Sequence, residues 1–292
     1  MKGTQLLIGA DGLIGAALAS YLRRHRRKFL VTTRRPDKVG PGTLFLDLNA
    51  VDGFRIPDGI VHATILAAAV GYENCELNPI AASINSEKIP LLITKLLRMG
   101  ISVNFISSSS VFGGKRWMPN EGDKPHPVIA YAEQKCRAEE CILASADHLG
   151  ALNKLVITRP TKILAPWTPP LSDWRQKWKQ NLVARPFSDF FVSPLSLDYV
   201  VSAINIINES SEAGIFHLSG SENISYAGLA AIIASGLGLP ESLVEPISSE
   251  QAGIKLFYAP PMPGLGMART TSLLGLKPFL PGSFSHYLKG CR

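Results

Sequence analysis

The chain has 292 residues, 46% of them hydrophobic, and a formal net charge of +7, enough for one large domain or a domain with a smaller partner. Its four cysteines form no C-x-x-C pair and show no metal-ligand spacing with the six histidines, so we expect no disulfide framework, no metal and a reducing compartment. Because no leader pattern and no membrane-length apolar stretch occurs, we expect a cytoplasmic protein without a membrane partner.

The positive charge is densest at residues 23–28, which read Arg-Arg-His-Arg-Arg-Lys. This run falls where the first predicted helix should end, and cations there complement the negative end of the helix dipole. No aromatic residue interleaves the run to stack on bases. We therefore expect a solvated helix end and no nucleic-acid partner.

The N-terminal segment predicts a strand, a tight turn and a helix. The apolar residues 6–8 stop at Gly9, glycines recur at Gly12 and Gly15, and apolar positions from residue 13 follow a helical period. In such a turn Gly9 permits the reversal, Gly12 lets a diphosphate approach the backbone, and Gly15 lets the helix pack closely on the strand. The N–H groups at the helix start would face that diphosphate.

A glycine-rich turn can also be only a turn, but its place between strand and helix favours a dinucleotide site. The residues predicted to bind the dinucleotide here are Gly9, Asp11, Gly12, Leu13, Ile14 and Gly15.

The second predicted strand covers residues 29–33, and the residues that follow it indicate which cofactor is bound. A dinucleotide fold often places an acidic residue there to hold the ribose hydroxyls, whereas this chain has Arg34 and Arg35. A guanidinium can grip a 2′-phosphate with paired hydrogen bonds. The arginines therefore favour NADP(H), with NAD(H) as the alternative, unless both are ordinary surface residues.

Three further strands are predicted at 43–47, 62–69 and 101–106, with a long amphipathic helix over 79–98. Strands that alternate with helices predict an α/β fold with a doubly wound parallel sheet covered on both faces. Ligands bind outside the carboxyl ends of such strands. Asp47 and the small residues Ala67 and Ala68 fall on that edge.

Residues with acid and base chemistry follow the strand at 101–106. Four serines occupy positions 107–110, and Tyr131 and Lys135 open a helix predicted to continue to about residue 144. Positions i and i+4 share a helix face, so the ammonium would lower the pKa of the phenol and make Tyr131 a usable acid and base near neutral pH. Together with the glycine turn, this pattern is poorly explained by chance.

These motifs resemble those of the extended short-chain dehydrogenase/reductases, which include nucleotide-sugar epimerases, dehydratases and reductases. The resemblance is carried by the glycine turn, by Ser107-Ser108-Ser109-Ser110-Val111-Phe112-Gly113 and by Tyr131-x-x-x-Lys135. Later segments, Arg159-Pro160, 191–200 and 214–220, are similar to landmarks of the dTDP-4-dehydrorhamnose reductase branch. The resemblance implies a Rossmann domain over 1–160 and a mainly substrate-binding α/β region over 161–292, some segments of which return to the first domain.

The resemblance also implies roles for individual residues. It makes Tyr131 the acid and base, Lys135 the residue that holds the nicotinamide ribose, and Ser108 the hydroxyl that binds the substrate oxygen. It places Asn85 and Ser109 beside the sugar. The branch usually carries an aspartate and an aromatic residue inside the serine motif, where this chain has two further serines.

Two further assignments complete the predicted site. The resemblance matches Asp47 and Leu48 to the adenine contact. A helix predicted over 171–182 places Trp174 and Trp178 on one side, and aromatic residues at this spacing usually belong to a core. The sharper alternative is a lid over a nucleotide sugar with a tryptophan against the base, which makes Trp174 a candidate substrate-binding residue.

Three functions fit these observations. The first is an NADPH-dependent reductase of a nucleoside-diphospho-4-keto-6-deoxy sugar or a related sugar ketone, with the proton coming from Tyr131. The second is an epimerase or dehydratase with a retained NAD(P), although the serine motif offers no carboxylate for the additional acid or base. The third is a non-catalytic NADP-binding regulatory subunit, which would not need the serine, tyrosine and lysine set. In each case the partner is a small molecule, and a homodimer is left open.

Overall fold

A parallel sheet of seven strands forms the centre of the chain in the computed structural model, which describes residues 3–290. In chain order the strands are β1 (Thr4–Ile8), β2 (Phe29–Thr33), β3 (Thr43–Phe45), β4 (Ile60–Ile65), β5 (Ser102–Ile106), β6 (Leu155–Pro160), β7 (Lys162–Leu164), β8 (Phe191–Val192), β9 (Pro194–Ser196), β10 (Gly214–Leu218) and β11 (Ile224–Ser225). The helices are α1 (Leu13–Arg24), α2 (Tyr72–Leu77), α3 (Pro79–Ser83), α4 (Ile89–Arg98), α5 (Ala130–His148), α6 (Leu171–Lys179), α7 (Leu197–Glu209), α8 (Tyr226–Leu237), α9 (Ala268–Leu274) and α10 (Ser283–Lys289).

The strand order is β3-β2-β1-β4-β5-β6-β10, and every pairing in this sheet is parallel. The order therefore reverses between β1 and β4. A crevice opens at such a switch point beyond the carboxyl ends of the strands. This topology confirms the predicted doubly wound α/β fold and places the glycine turn at the crevice.

The apolar run in β1 fits a sheet that is covered on both faces. Leu6, Leu7 and Ile8 are all fully buried. Because successive side chains of a strand point to opposite faces, Leu6 and Ile8 join the core beneath α4 and α5, whereas Leu7 joins the core formed with α1, α7 and α8. A continuous apolar run is typical of such a strand.

Two predicted strands end earlier than expected, and local hydrogen bonds explain both differences. β3 stops at Phe45 because the Asp47 carboxylate accepts from Asn49 N at 2.9 Å and starts a short 3-10 helix. β4 stops at Ile65 because the next two N–H groups both donate to the Ile8 carbonyl, at 2.8 and 2.9 Å. The chain thereby leaves the hydrogen-bond ladder, and residues 66–69 form a loop above the sheet.

The helix predicted over 79–98 is three consecutive segments, namely α3, a π-helical stretch Ile84–Lys88, and α4. Pro90 lies at the start of α4 and has no N–H for an intrahelical bond, so the ladder is interrupted there. A local shift to wider π-type bonds accommodates this interruption. The π-helical stretch turns Asn85 inward, and this residue is only 1% exposed.

Two small sheets stand beyond the carboxyl edge of the main sheet. β7 pairs with β9 in parallel, and β8 pairs with β11 antiparallel. The intervening β10 returns to the main sheet beside β6, and one continuous core joins α1 and α7 to α6, α8 and α10.

Among residues 3–290, no helix is long and apolar enough to cross a membrane, and no three His, Cys, Asp or Glu side chains are grouped to hold a metal ion. Cys75, Cys136 and Cys141 are free thiols, while Cys291 lies outside the described residues. His217 is fully buried in β10.

We predict that Gly15→Ala destabilises the protein by about 1–3 kcal/mol. A Cβ at this position would overlap the Gly9 carbonyl oxygen and crowd Ala10, so α1 would have to move away from β1. The free energy of unfolding in urea measures the loss. The matched control is Gly53→Ala, where a Cβ meets nothing within 4 Å, and equal stability of the two variants would contradict the packing argument.

Candidate active site

The three glycines of the first turn serve two different purposes. Gly9 has a φ of +99°, and a Cβ there would lie 2.5 Å from Ala67 N. Gly15 is likewise required by packing, because α1 crosses directly over the Gly9 carbonyl. Gly12 is different, since a Cβ would meet only Gly9 O, at 3.5 Å. The turn thus needs two glycines to close, while the third leaves space above the start of α1.

The start of α1 is open to an anion. Gly12 is its N-cap, no side chain caps it, and no acidic residue lies in its first turn. Among residues 3–290 nothing accepts a hydrogen bond from the N–H groups of Leu13 and Ile14. These unpaired donors and the positive end of the helix dipole favour a negatively charged group at this point.

The two arginines after β2 differ in their partners. Arg35 donates from Nη2 to Asp11 Oδ1 at 2.8 Å, and Thr33 Oγ1 donates to Asp11 Oδ2 at 2.6 Å. These two hydrogen bonds, that of Arg35 being the stronger influence, hold the pKa of the Asp11 carboxyl below its ordinary value. Arg34 is exposed and forms no ion pair within the described chain. The free guanidinium at this edge is therefore that of Arg34.

The remaining predicted cofactor residues surround the same edge. Asp47 is exposed at the N-terminus of its 3-10 helix, and Leu48 is half-buried against the core. Ala67 and Ala68 are half-buried in the loop that follows β4. Their short side chains keep the backbone of this loop accessible from the crevice.

The serine segment continues β5 beyond the sheet. Ser107 N donates to Thr158 O at 2.8 Å, which holds the segment beside β6. Ser108 then starts a 3-10 turn, and its Oγ accepts from Ser110 N at 3.2 Å and from Ser110 Oγ at 2.9 Å. All four serines line the crevice; Ser108 and Ser109 are half-buried there, and Ser107 and Ser110 are buried.

A buried ion pair supports this segment from below. The Ser107 hydroxyl donates to Glu139 Oε1, and the Arg159 guanidinium binds both carboxylate oxygens of Glu139. Arg159 Nη1 lies 3.4 Å from His217 Nε2. Burial, with a contribution from Arg159, lowers the pKa of His217 to about 4, so its imidazole is neutral at physiological pH.

Lys135 is held rigidly beneath the serine segment. It is 2% exposed, and its Nζ donates to Ile106 O at 3.2 Å. The same ammonium lies 4.6 Å from the centre of the Phe105 ring and 5.9 Å from that of the Tyr131 ring. Burial lowers the pKa of Lys135 to about 8, against a smaller opposite effect of Glu139.

The prediction that Lys135 lowers the pKa of Tyr131 is wrong for the protein without ligands. Burial raises the pKa of Tyr131 above its ordinary value of 10.0, and Tyr72 and Cys75 raise it further. A hydrogen bond with Ser108 acts in the opposite direction but is the smaller influence. Because desolvation dominates, the phenol is protonated at neutral pH.

These residues meet in one cavity of about 410 Å³ at the carboxyl edge of the sheet, which we call the central cavity. Ser108, Ser109, Tyr131 and Lys135 line it, as do Ile14 and Ala68 from the predicted cofactor side. Among the described residues no Asp, Glu or His side chain lines this cavity.

An aromatic cluster that the sequence did not reveal lines the central cavity. The Tyr72 ring centre lies 5.8 Å from that of Tyr131 and 5.5 Å from that of Tyr258. Tyr258 belongs to an irregular loop whose residues 260 and 262–265 also line the cavity. No local pattern marks these residues, because only tertiary packing brings the loop over α2.

Asn85 does not line the central cavity, contrary to its predicted place beside the sugar. Its carbonyl oxygen accepts from Ala69 N at 2.9 Å, and its amide donates to Ala69 O at 3.0 Å and to Gln134 Oε1 at 2.9 Å. Gln134 in turn donates to Cys75 O at 2.8 Å. The Asn85 side chain therefore ties the loop after β4 to α5 instead of facing a ligand.

Trp174 is also absent from the central cavity, and the core interpretation holds for it. Its side chain is 5% exposed and belongs to the core that joins α6 to α8. Its ring meets the edge of Tyr226 at 5.8 Å between centres and packs against Trp178 at 6.2 Å. The helix ends at Lys179 and presents both tryptophans inward, so α6 cannot use them as a lid.

Taken together, the doubly wound sheet, the open glycine turn and the Ser108, Tyr131 and Lys135 set resemble those of the extended short-chain dehydrogenase/reductases. The sequence profile of the RmlD substrate binding domain family matches residues 3–257, and the chain belongs to that family. A dTDP-4-dehydrorhamnose reductase from Sinorhizobium fredii is 29% identical over 189 residues, which are 61% of each chain.

Solved structures show the same fold at low sequence identity. A dTDP-4-dehydrorhamnose reductase from Bacillus anthracis in complex with NADP superposes with a TM-score of 0.80 at 18% identity over 100% of both chains. The enzyme of the same name from Yersinia enterocolitica gives 0.79 at 21% identity over 99% of each chain. A UDP-glucose 4-epimerase from Thermotoga maritima gives 0.77 at 16% identity over 99% of this chain and 100% of its own.

We predict that Asn85→Ala destabilises the fold by about 1–3 kcal/mol for each buried partner that it leaves unpaired. The partners are the N–H and C=O groups of Ala69 and the Gln134 amide. Thermal or urea unfolding measures the change. Asn74→Ala is the control, because Asn74 is exposed on α2 and should change stability by about 0.5 kcal/mol or less; equal effects would show that the Asn85 contacts contribute nothing.

Proposed function

We propose that this chain is an NADPH-dependent reductase of a nucleoside-diphospho-4-keto-6-deoxy sugar or a related sugar ketone. The proposal rests on one observation: Ser108, Tyr131 and Lys135 line the same cavity, which lies beside the open glycine turn. Membership of the RmlD substrate binding domain family and the similarity to the Sinorhizobium fredii enzyme support it. The aligned region spans 61% of that enzyme's length, so the activity is inferred for this chain from its own site.

The residues present fit the dinucleotide. The space above Gly12 and the unpaired N–H groups of Leu13 and Ile14 would accept the diphosphate. Arg34 would hold the 2′-phosphate as a free cation, while Lys135 would hold the nicotinamide ribose. We assign the adenine contact to Asp47 and Leu48. The cofactor would cross the edge of the sheet over the loop that contains Ala67 and Ala68.

When bound, the reduced nicotinamide supplies the hydride for the substrate's carbonyl carbon. Tyr131 donates the proton, and its raised pKa keeps it protonated and ready for this step at neutral pH. Ser108 binds the same carbonyl oxygen and stabilises the charge that develops there. Lys135 is desolvated and fixed on Ile106 O, which would hold its ammonium in one place for the nicotinamide ribose.

The composition of the central cavity favours the reductase over an epimerase or dehydratase with a retained cofactor. Epimerisation beside a ketone and dehydration require a further acid or base beside the sugar, and no carboxylate or imidazole of the described residues lines the cavity. A non-catalytic subunit has no use for a protonated tyrosine that is hydrogen-bonded to a serine at the cavity surface. A reductase uses all three groups and needs no further acid or base.

Three attributes of the proposed enzyme stay predictions from the sequence. They are the division into a domain over 1–160 and a mainly substrate-binding region over 161–292, a cytoplasmic location, and an oligomeric state in which a homodimer is left open. The two small sheets beyond the main sheet support the division.

The reductase is tested by the loss of NADPH absorbance with a panel of nucleoside-diphospho-4-keto-6-deoxy sugars, comparing wild type with Tyr131→Phe. We expect stoichiometric oxidation of NADPH with one of these sugars and a fall in kcat of about a hundredfold or more in the variant. NADPH affinity should be nearly unchanged, because the phenylalanine ring fills the same space. Turnover that survives in Tyr131→Phe would exclude this residue as the proton donor.

Arg34 is expected to determine whether the protein prefers NADPH or NADH. Arg34→Ala should weaken NADPH binding by about ten- to a hundredfold, which corresponds to one charge-assisted contact, and should leave NADH binding within about twofold. Arg35→Ala should have a smaller effect, because Asp11 already engages that guanidinium. Fluorescence titration of each variant with both cofactors measures the affinities.

Arg24→Ala is the matched control for Arg34→Ala, since Arg24 is an exposed arginine at the far end of α1. It should bind both cofactors like wild type. If Arg34→Ala weakens NADPH and NADH equally, the residue does not contact the 2′-phosphate.

A further inference from the structure

A second lysine lines the central cavity and has no partner. Lys162 is the first residue of β7 and shares the cavity wall with Lys135. Lys135 donates to Ile106 O, whereas the Lys162 ammonium makes no hydrogen bond and no ion pair within residues 3–290. One of the two cations is therefore available to a ligand.

The charge around Lys162 is uncompensated. The described lining of the central cavity contains two lysines and no acidic side chain. Lys162 is exposed to the solvent of the crevice, and the partial desolvation that lowers the pKa of its ammonium is opposed by no carboxylate. An anion placed beside the ammonium would remove this penalty, because an opposite charge favours the charged form.

Thr161, the residue before Lys162, adds a second polar group without a hydrogen-bond partner. Thr161 is 5% exposed, lines the same cavity, and donates from its backbone N to Leu218 O at 2.9 Å. Its buried Oγ1 has no hydrogen-bond partner within the described chain. Since buried hydroxyls are nearly always paired, the cavity wall at Thr161 and Lys162 offers a hydroxyl donor and an ammonium, neither of which has an acceptor within residues 3–290.

The topology puts this pair beside the reactive groups. β6 pairs with β5 in a register that sets Thr158 opposite Ile106, and Ser107 N donates to Thr158 O. The chain then continues through Thr161 and Lys162, which line the same cavity as Ser108 and Tyr131. A ligand in the central cavity would therefore be bordered by Ser108, Tyr131 and Lys162.

We propose that Lys162, assisted by the Thr161 hydroxyl, binds an anionic oxygen group of the substrate while the reacting carbonyl faces Tyr131 and Ser108. This inference rests on the proposed function and narrows its substrate to one whose anionic group reaches β7. Two groups carry this chemistry: the diphosphate of the nucleotide sugar, and a carboxylate on the sugar ring.

Isothermal titration calorimetry of three probes with the NADPH-loaded protein distinguishes the diphosphate from the carboxylate. The probes are dTDP, UDP-glucose and UDP-glucuronic acid, and the variants are Lys162→Gln and Lys162→Arg. If the diphosphate is bound, Lys162→Gln weakens all three probes by about ten- to a hundredfold and Lys162→Arg retains them. If a carboxylate is bound, wild type prefers UDP-glucuronic acid to UDP-glucose, and Lys162→Gln removes that preference alone.

Lys179→Gln is the matched control, because Lys179 is an exposed lysine in the last turn of α6 and does not line the central cavity. It should bind every probe like wild type. Thr161→Val provides a second variant of nearly equal volume, which should weaken the same probe severalfold. Unchanged NADPH affinity in each variant shows that the fold is retained.

The proposal is overturned if Lys162→Gln binds the probes like the Lys179→Gln control, or if wild type binds none of them. It is also overturned if Lys162→Gln weakens NADPH and leaves the probes unaffected, since the lysine would then serve the cofactor. Because calorimetry needs no turnover, these outcomes are separate from those of the NADPH oxidation assay, whose failure would contradict the proposed reaction and leave the anion site standing.

Discussion

The close contact between α1 and the end of β1 is the constraint on which the rest of the site depends. The turn closes only because Gly9 and Gly15 carry no side chain where Ala67 and the Gly9 carbonyl lie. The same contact brings the loop after β4 against the turn, since the Ile8 carbonyl accepts two N–H groups of that loop. Asn85 then fixes the loop to α5 through Gln134, one residue before Lys135. A chain of buried contacts thus connects the proposed cofactor turn to the proposed catalytic helix.

Desolvation sets the electrostatics of the central cavity. Burial raises the pKa of Tyr131 and lowers that of Lys135 to about 8, so each group is biased toward its neutral form. A protonated phenol suits the reduction of a ketone, in which the nascent alkoxide needs a proton. The ion pair of Glu139 and Arg159 lies one layer below and fixes Ser107, which leaves its neighbour Ser108 free to face a ligand.

Those parts of the fold and site that depend on short-range patterns could be predicted from the sequence. The glycine spacing, the serine segment and the i, i+4 pair at Tyr131 are local, and each lies in the predicted kind of element. The sequence places Asn85 beside the substrate and leaves Trp174 between a core and a lid, but the surroundings of both residues come from distant segments, and both are buried away from the cavity. The raised pKa of Tyr131 could not be predicted either, because Tyr72 approaches it only through tertiary packing.

The proposed reaction is a net transfer of hydride from NADPH to a ketone of the substrate, with no return of the hydride to the cofactor. The most direct measurement is mass spectrometry of the sugar product formed from NADPH carrying deuterium at the transferable position of the nicotinamide. The account predicts one deuterium in the product for each NADPH oxidised. A product without deuterium, or an epimer formed with no net consumption of NADPH, would contradict the claim and assign the site to a retained-cofactor reaction.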